Sequence, residues 1–150
     1  MKIKKQIYDQ ILKTLPTIYA ETGGILGGKN NIITEFEFDR GTSLSSTQHY
    51  YPNTKRLNDC IEKWQNRDIQ FYGIVHSHLQ EERTLSFGDR LYIQTIMQAM
   101  PMSIKFLYFP IVLPQKEIVS FKAVRLDNEI NVASSDIKII NGRTNSHEKI

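Results

Sequence analysis

The chain has 150 residues, 40% hydrophobic and 23% charged, with a net charge of +3 from 19 basic and 16 acidic side chains. That length suits one domain with its own core and is too short for two, and so small and scattered a basic excess gives no electrostatic case for nucleic acid. The one cysteine, Cys60, excludes an internal disulfide framework and a four-cysteine zinc knuckle, as expected in a reducing cytoplasm.

In chain order, Ile3, Ile7, Ile11, Leu12 and Leu15 recur at three-to-four-residue spacing and predict an amphipathic helix stopped by Pro16. Its basic start lacks the apolar core of a signal peptide, and no apolar run is long enough for a membrane span. Glycines 23, 24, 27 and 28 bracket a short strand at Ile25-Leu26, where backbones must approach closely. Residues 32–38 alternate at period two and predict a half-buried strand. Residues 39–54, rich in Ser, Thr and Asn, predict a long loop suited to touching a substrate.

A second helix follows over 55–68, with Leu57, Cys60, Ile61 and Trp64 on one stripe, then a β-branched and aromatic strand over 70–76. Residues 87–100 predict a third helix, with Leu91, Ile93, Ile96 and Met97 apolar and Pro101 at its end. Strands are expected over 104–109 and 117–126, with a Pro110–Pro114 turn between them, and a last strand over 131–140. Residues 141–150 form a polar tail, so the domain proper spans 1–140. The mixture lacks a regular βαβ rhythm, which predicts an α/β or α+β sheet flanked by helices.

Chemistry concentrates in His76-Ser77-His78 followed by Ser86 and Asp89. Residues two apart on a strand face the same way, so both imidazoles are offered to one point. Asp89, near the start of the next helix, can return its carboxylate to that point. Two histidines, one carboxylate and a fourth position for water make a catalytic rather than a structural zinc site. Ser86 and Asp89 also have the spacing of a capping box, which is compatible because a cap fixes where Asp89 points. At average residue usage the whole spacing arises by chance in about one chain of this size in a few thousand.

Three pieces, His76-Ser77-His78, then Ser86 after seven residues, then Asp89 after two more, together with Glu21-Thr22-Gly23-Gly24-Ile25-Leu26-Gly27, resemble the JAB/MPN family and the JAMM motif of its metalloproteases. The element order is similar over nearly the whole chain, most of all to compact prokaryotic members. Leu79 and Leu85 stand where the family often has prolines. The resemblance implies a single JAB/MPN-like domain, with a mostly antiparallel curved sheet flanked by helices in cytidine-deaminase-like layers. It implies one Zn2+ per chain on His76, His78 and Asp89, with Glu21 as general base and Ser86 as oxyanion donor. The expected substrate is ubiquitin or a ubiquitin-like protein, cut after its C-terminal Gly-Gly, with E1- and E2-like partners in a bacterial conjugation-like or defence system. A non-catalytic MPN scaffold, or processing of a sulfur- or amino-carrier protein, is the alternative.

Other motifs lead elsewhere. Gly23-x4-Gly28-Lys29-Asn30 imitates a phosphate-binding loop, yet Asn30 replaces the required hydroxyl and the helix–strand order is reversed. A deaminase would need a Pro-Cys-x-x-Cys signature, which is absent. Cys60 and Trp64 are expected in the core, and His49 and His147 in solvent.

Overall fold

Ile3 lies in a strand rather than a helix. In the computed structural model, which describes residues 1–15, 17, 20–42 and 49–141, β1 (Lys2–Lys4) precedes α1 (Lys5–Thr14). β1 runs parallel to β3 (Ile32–Asp39) and to β9 (Lys138–Ile140). The apolar spacing that predicted one long helix passes through both elements, because Ile3, Ile7 and Ile11 all enter the same core. Leu15 caps α1 in an extended conformation (φ −89°, ψ 109°), the conformation a following proline imposes; Pro16 itself lies outside the described residues.

β2 (Gly23–Lys29) and β3 form a hairpin. Its turn residues Asn30 and Asn31 have φ of 53° and 63°, the left-handed pair that a tight two-residue hairpin requires. The phosphate-loop look-alike is therefore a hairpin corner. After the loop come α2 (Thr54–Asn66), β4 (Gln70–Ser77) and α3 (Phe87–Ala99). α2 buries Leu57 and Trp64 with Cys60 half-buried beside them. α3 buries Ile93 and Met97, whereas Leu91, expected on the apolar stripe, is 53% exposed.

The predicted 110–114 turn contains a strand. β5 (Phe106–Tyr108) and β6 (Ile111–Leu113) lie between β4 and β7 (Glu117–Leu126) as one strand interrupted at Phe109-Pro110. Proline punctuation suggested a turn, but Ile111-Val112-Leu113 is a fully buried apolar run of the kind that fills a sheet interior. The single strand predicted over 131–140 divides at Asp136-Ile137 into β8 (Glu129–Ser135), which pairs with β7, and β9.

Across the sheet the order is β8, β7, β5/β6, β4, β2, β3, β1, β9, with the long ladders antiparallel. Laid flat, the outermost strands would be about 34 Å apart at about 4.8 Å per step. Only two residues separate β8 from β9, a reach of about 11 Å. The sheet must therefore curl until its ends approach, and the Met1 amine bonding the Asp136 carbonyl at 2.6 Å closes that side. Alternate residues feed two cores: Ile25, Ile74 and Ile111 pack with α2 and α3, while Leu26, Val75 and Val112 pack with α1. Among the described residues no helix is long and apolar enough to cross a membrane. Of the predicted tail, residues 142–150 lie outside the described residues.

Candidate metal centre

His76 lies at the end of β4 and His78 just beyond it. His76 sits opposite Gly23 of β2 and Ile111 of β6, and the His76 and His78 amides donate to the carbonyls of Pro110 (3.2 Å) and Val112 (2.9 Å). Ser77, between them, faces the other way. Its amide donates to the Thr22 carbonyl at 2.8 Å and its Oγ accepts the Thr22 N–H at 3.1 Å. Glu21 is thereby fixed at the same end of the sheet as the histidines. It lies outside regular structure just before β2, well after α1 has ended at Thr14.

Beyond His78 the chain loops out and returns as α3. Leu85 anchors the loop by burial in the core, and Arg83 forks onto Glu117 at 2.7 and 2.8 Å. α3 starts with the predicted capping box: Ser86 Oγ accepts the Asp89 N–H, and Asp89 Oδ2 accepts the Ser86 N–H, both at 3.0 Å. Held so, Asp89 places Oδ1 3.3 Å from His76 Nε2 and Oδ2 3.1 Å from His78 Nε2. All three side chains are largely buried, Asp89 at 14% exposure.

Burial alone would raise the Asp89 carboxyl, yet its contacts with His76 and His78 and the Ser86 N–H hold it well below the usual carboxylate range. For His78, burial works to lower the pKa. The Asp89 contact and the Asp89 and Glu21 charges outweigh it and push the ring up from its ordinary 6.5.

These three residues fit a metal ion. A tetrahedral zinc with bonds of about 2.0–2.1 Å has ligand-to-ligand edges of about 3.3–3.4 Å. The 3.1 and 3.3 Å separations are close to that edge, and all the ligand atoms lie within 4.8 Å of one another. His76 Nε2, although close to Asp89, makes no hydrogen bond and is buried, as expected of an atom aimed at a common point rather than at its neighbour. His78 Nδ1 lies 3.3 Å from the Glu82 carbonyl, an arrangement that holds the ring with Nε2 turned toward Asp89 and the centre of the cluster. Among the described residues, this is the group of metal-binding type that forms; Glu21 stands outside it.

Glu21 is held by a residue not anticipated from sequence. The Tyr50 N–H donates to Glu21 Oε1 at 3.1 Å, and His49, expected in free solvent, is largely exposed but brings Nδ1 within 3.9 Å of the same oxygen. Tyr50 lies in the predicted loop, of which residues 43–48 lie outside the described residues. Its ring stacks on His76, centroids 6.1 Å apart and planes 14° apart. A second tyrosine, Tyr92, presents an edge to His76 at 5.8 Å, and its buried hydroxyl has no partner among the described residues. Tyr92 was foreseeable, since a residue three after Asp89 shares its helical face. Nothing in the sequence marks Tyr50. His147 lies outside the described residues.

No protein-family description and no curated sequence matches the chain. Its fold is similar to that of protein DSY2949 from Desulfitobacterium hafniense (TM-score 0.63, 13% identity, 95% of both chains). It is also similar to AF2198, a JAB1/MPN domain protein from Archaeoglobus fulgidus (TM-score 0.55, 15% identity, 93% of this chain and 97% of that one). A Salinibacter ruber protein matches at TM-score 0.53 and 16% identity, over 95% of this chain and 93% of the other. At these identities the likeness concerns architecture, and on that ground the chain is a single α+β domain with the fold of a JAB1/MPN domain.

Proposed function

We propose that the chain is a cytoplasmic zinc-dependent peptidase that cleaves the amide bond after the C-terminal Gly-Gly of a ubiquitin-like protein, removing a conjugate or trimming a precursor. The observation that carries the hydrolase reading is the approach of His76, His78 and Asp89 to tetrahedral spacing beside Glu21. The substrate class rests on the motif resemblance alone.

A zinc ion held by His76, His78 and Asp89 supplies Lewis acidity, enough to bring the pKa of water to about 7. The protein's own groups do the rest. Glu21 Oε1 is occupied by the Tyr50 N–H, while Oε2 has no partner among the described residues. That oxygen takes the proton from the attacking water and passes it to the departing amine. Ser86 accepts the Asp89 N–H with its oxygen lone pair, so its O–H hydrogen stays available to donate to the oxyanion. An extended Gly-Gly tail presents its backbone to these groups without a side chain to accommodate, in the manner of strand addition.

The test is incubation of zinc-loaded protein with ubiquitin-like and carrier proteins extended past Gly-Gly by a reporter. Release of the reporter after the second glycine, stopped by chelator and restored by zinc, is expected. A protein that holds zinc yet cleaves none of them overturns the peptidase reading in favour of a binding scaffold. The E1- and E2-like partners belong to the conjugation setting of this proposal.

A further inference from the structure

A metal-ligating histidine ordinarily has its ring fixed by a hydrogen bond from its second nitrogen to a carbonyl or carboxylate. His78 has one, at the Glu82 carbonyl. His76 does not: its Nδ1 is buried and has no hydrogen-bond partner among the described residues. What touches the ring is aromatic, with Tyr50 stacked on its face and Tyr92 set edge-on.

Tyr50 is itself unusually well fixed for a loop residue. Its hydroxyl donates to Asp39 Oδ2 at 2.7 Å. Asp39 is 2% exposed, and the same oxygen accepts the Asn53 N–H at 3.0 Å. Arg56 Nε approaches its other oxygen at 4.0 Å. Glycines clear the ring's seat, for a Cβ at Gly23 would lie 2.7 Å from Tyr50 ring carbons and one at Gly41 would lie 3.1 Å away. From this one anchored residue, the ring reaches His76 and the backbone N–H reaches Glu21.

We infer that Tyr50 is a positioning residue for both halves of the centre: its ring, seated against Gly23 and Gly41, orients His76, and its amide, steadied by the hydroxyl's bond to Asp39, orients the base Glu21. One loop residue thus serves two groups of different chemistry, the ring through its packing and the amide through a buried carboxylate at the end of β3. The kinetic half of this inference rests on the peptidase reading; the metal half does not.

The test uses the full chain and two substitutions. Zinc Kd is measured by competition with a chromophoric chelator, and the Co2+-loaded protein gives an absorption spectrum of the ligand field. Tyr50→Leu removes the stacked ring, and zinc binding should weaken about 10- to 100-fold, with the cobalt bands shifted. Tyr50→Phe keeps the ring and removes only the Asp39 anchor. It should hold zinc within about threefold of wild type, yet lower kcat about tenfold at unchanged KM as the amide loosens from Glu21. Wild-type zinc affinity and cobalt spectrum in Tyr50→Leu overturn the metal half, and wild-type kcat in Tyr50→Phe overturns the base half. If the leucine chain does not fold, the phenylalanine chain still decides, since a large loss of zinc affinity there contradicts a clamp made by the ring. If wild-type protein cleaves nothing, the peptidase reading has failed, while the zinc and cobalt measurements still judge Tyr50.

Discussion

Ser86 and Asp89 bond each other twice, hydroxyl oxygen to amide N–H and carboxylate oxygen to amide N–H, each at 3.0 Å. The pair that starts a helix thereby also aims the Asp89 carboxylate at His76 and His78, and structure and chemistry can be separated by substitution. Ser86→Ala should cost about 0.5–2 kcal/mol of stability, and Ser86→Gly only a few tenths. Both remove the oxyanion donor and should lower kcat by the same factor, about 10²–10³. Denaturant midpoints and kcat on the two variants check this; rates that follow stability would leave Ser86 a cap and nothing more.

Glu21→Gln preserves an oxygen for the Tyr50 N–H and removes the site of protonation. Zinc content should be unchanged and turnover should fall about 10²–10⁴-fold. Elemental analysis and a cleavage assay together decide; near-wild-type cleavage would remove Glu21 from the mechanism.

The metal can be followed through stability. Zinc at 100 times its Kd should stabilise the wild type by about 2.7 kcal/mol, a rise in Tm of roughly 5–11 °C. His78→Ala, which deletes one of the converging nitrogens, should show no such rise and no bound zinc. A zinc-dependent shift of equal size in that variant would place the ion elsewhere.

Acid–base behaviour should differ with and without metal. In the metal-free protein His78 is raised above its ordinary 6.5. Its contribution is therefore fully present below 6.5 and declines as the pH rises through the raised value. Asp89 is shifted the opposite way, so its contribution persists above the ordinary carboxylate range and is lost only in strong acid. As the pH rises from about 6.5 through the raised value of His78, the metal-free protein should lose stability from this pair, while zinc affinity rises because the ligands must shed protons. Denaturant curves at both ends of that range, with zinc and with chelator, should diverge as the pH increases.

Gly23 has no room for a side chain, being pressed between the Tyr50 ring and the Val75 carbonyl. Gly23→Ala should cost about 1–3 kcal/mol through overpacking and should weaken zinc binding by displacing the ring from His76. Circular dichroism melts and chelator competition test both; a stability loss with intact zinc affinity would mean that the ring keeps its place.

The convergence of His76, His78 and Asp89 was legible because their spacing is local. Period two on a strand pairs His76 with His78, and a helix cap three residues long sets Asp89. The sheet flanked by helices was legible from periodicity and from the resemblance together. β1 was hidden because Ile3 keeps helical step with Ile7 and Ile11, and only pairing with Ile33 and Ile139 makes it a strand. β6 was hidden by the prolines around it. Tyr50 was beyond reach, since its place against His76 depends on β2 bringing a side-chain-free position opposite that histidine.

The insertion of β1 between β3 and β9 bears on how the chain folds. Residues 2–4 meet partners at 32–33 and at 138–140, so the first strand among the described residues is flanked on one side by the last of them. During synthesis β1 keeps an open edge until residue 140 is free of the ribosome, a non-local closure of the kind that slows folding and leaves nascent chains prone to aggregation. The hairpin of β2 and β3 and its pairing with β4, which together carry the histidines, need no such wait. The end of the sheet that carries the histidine cluster is thus available to form before the opposite margin is sealed.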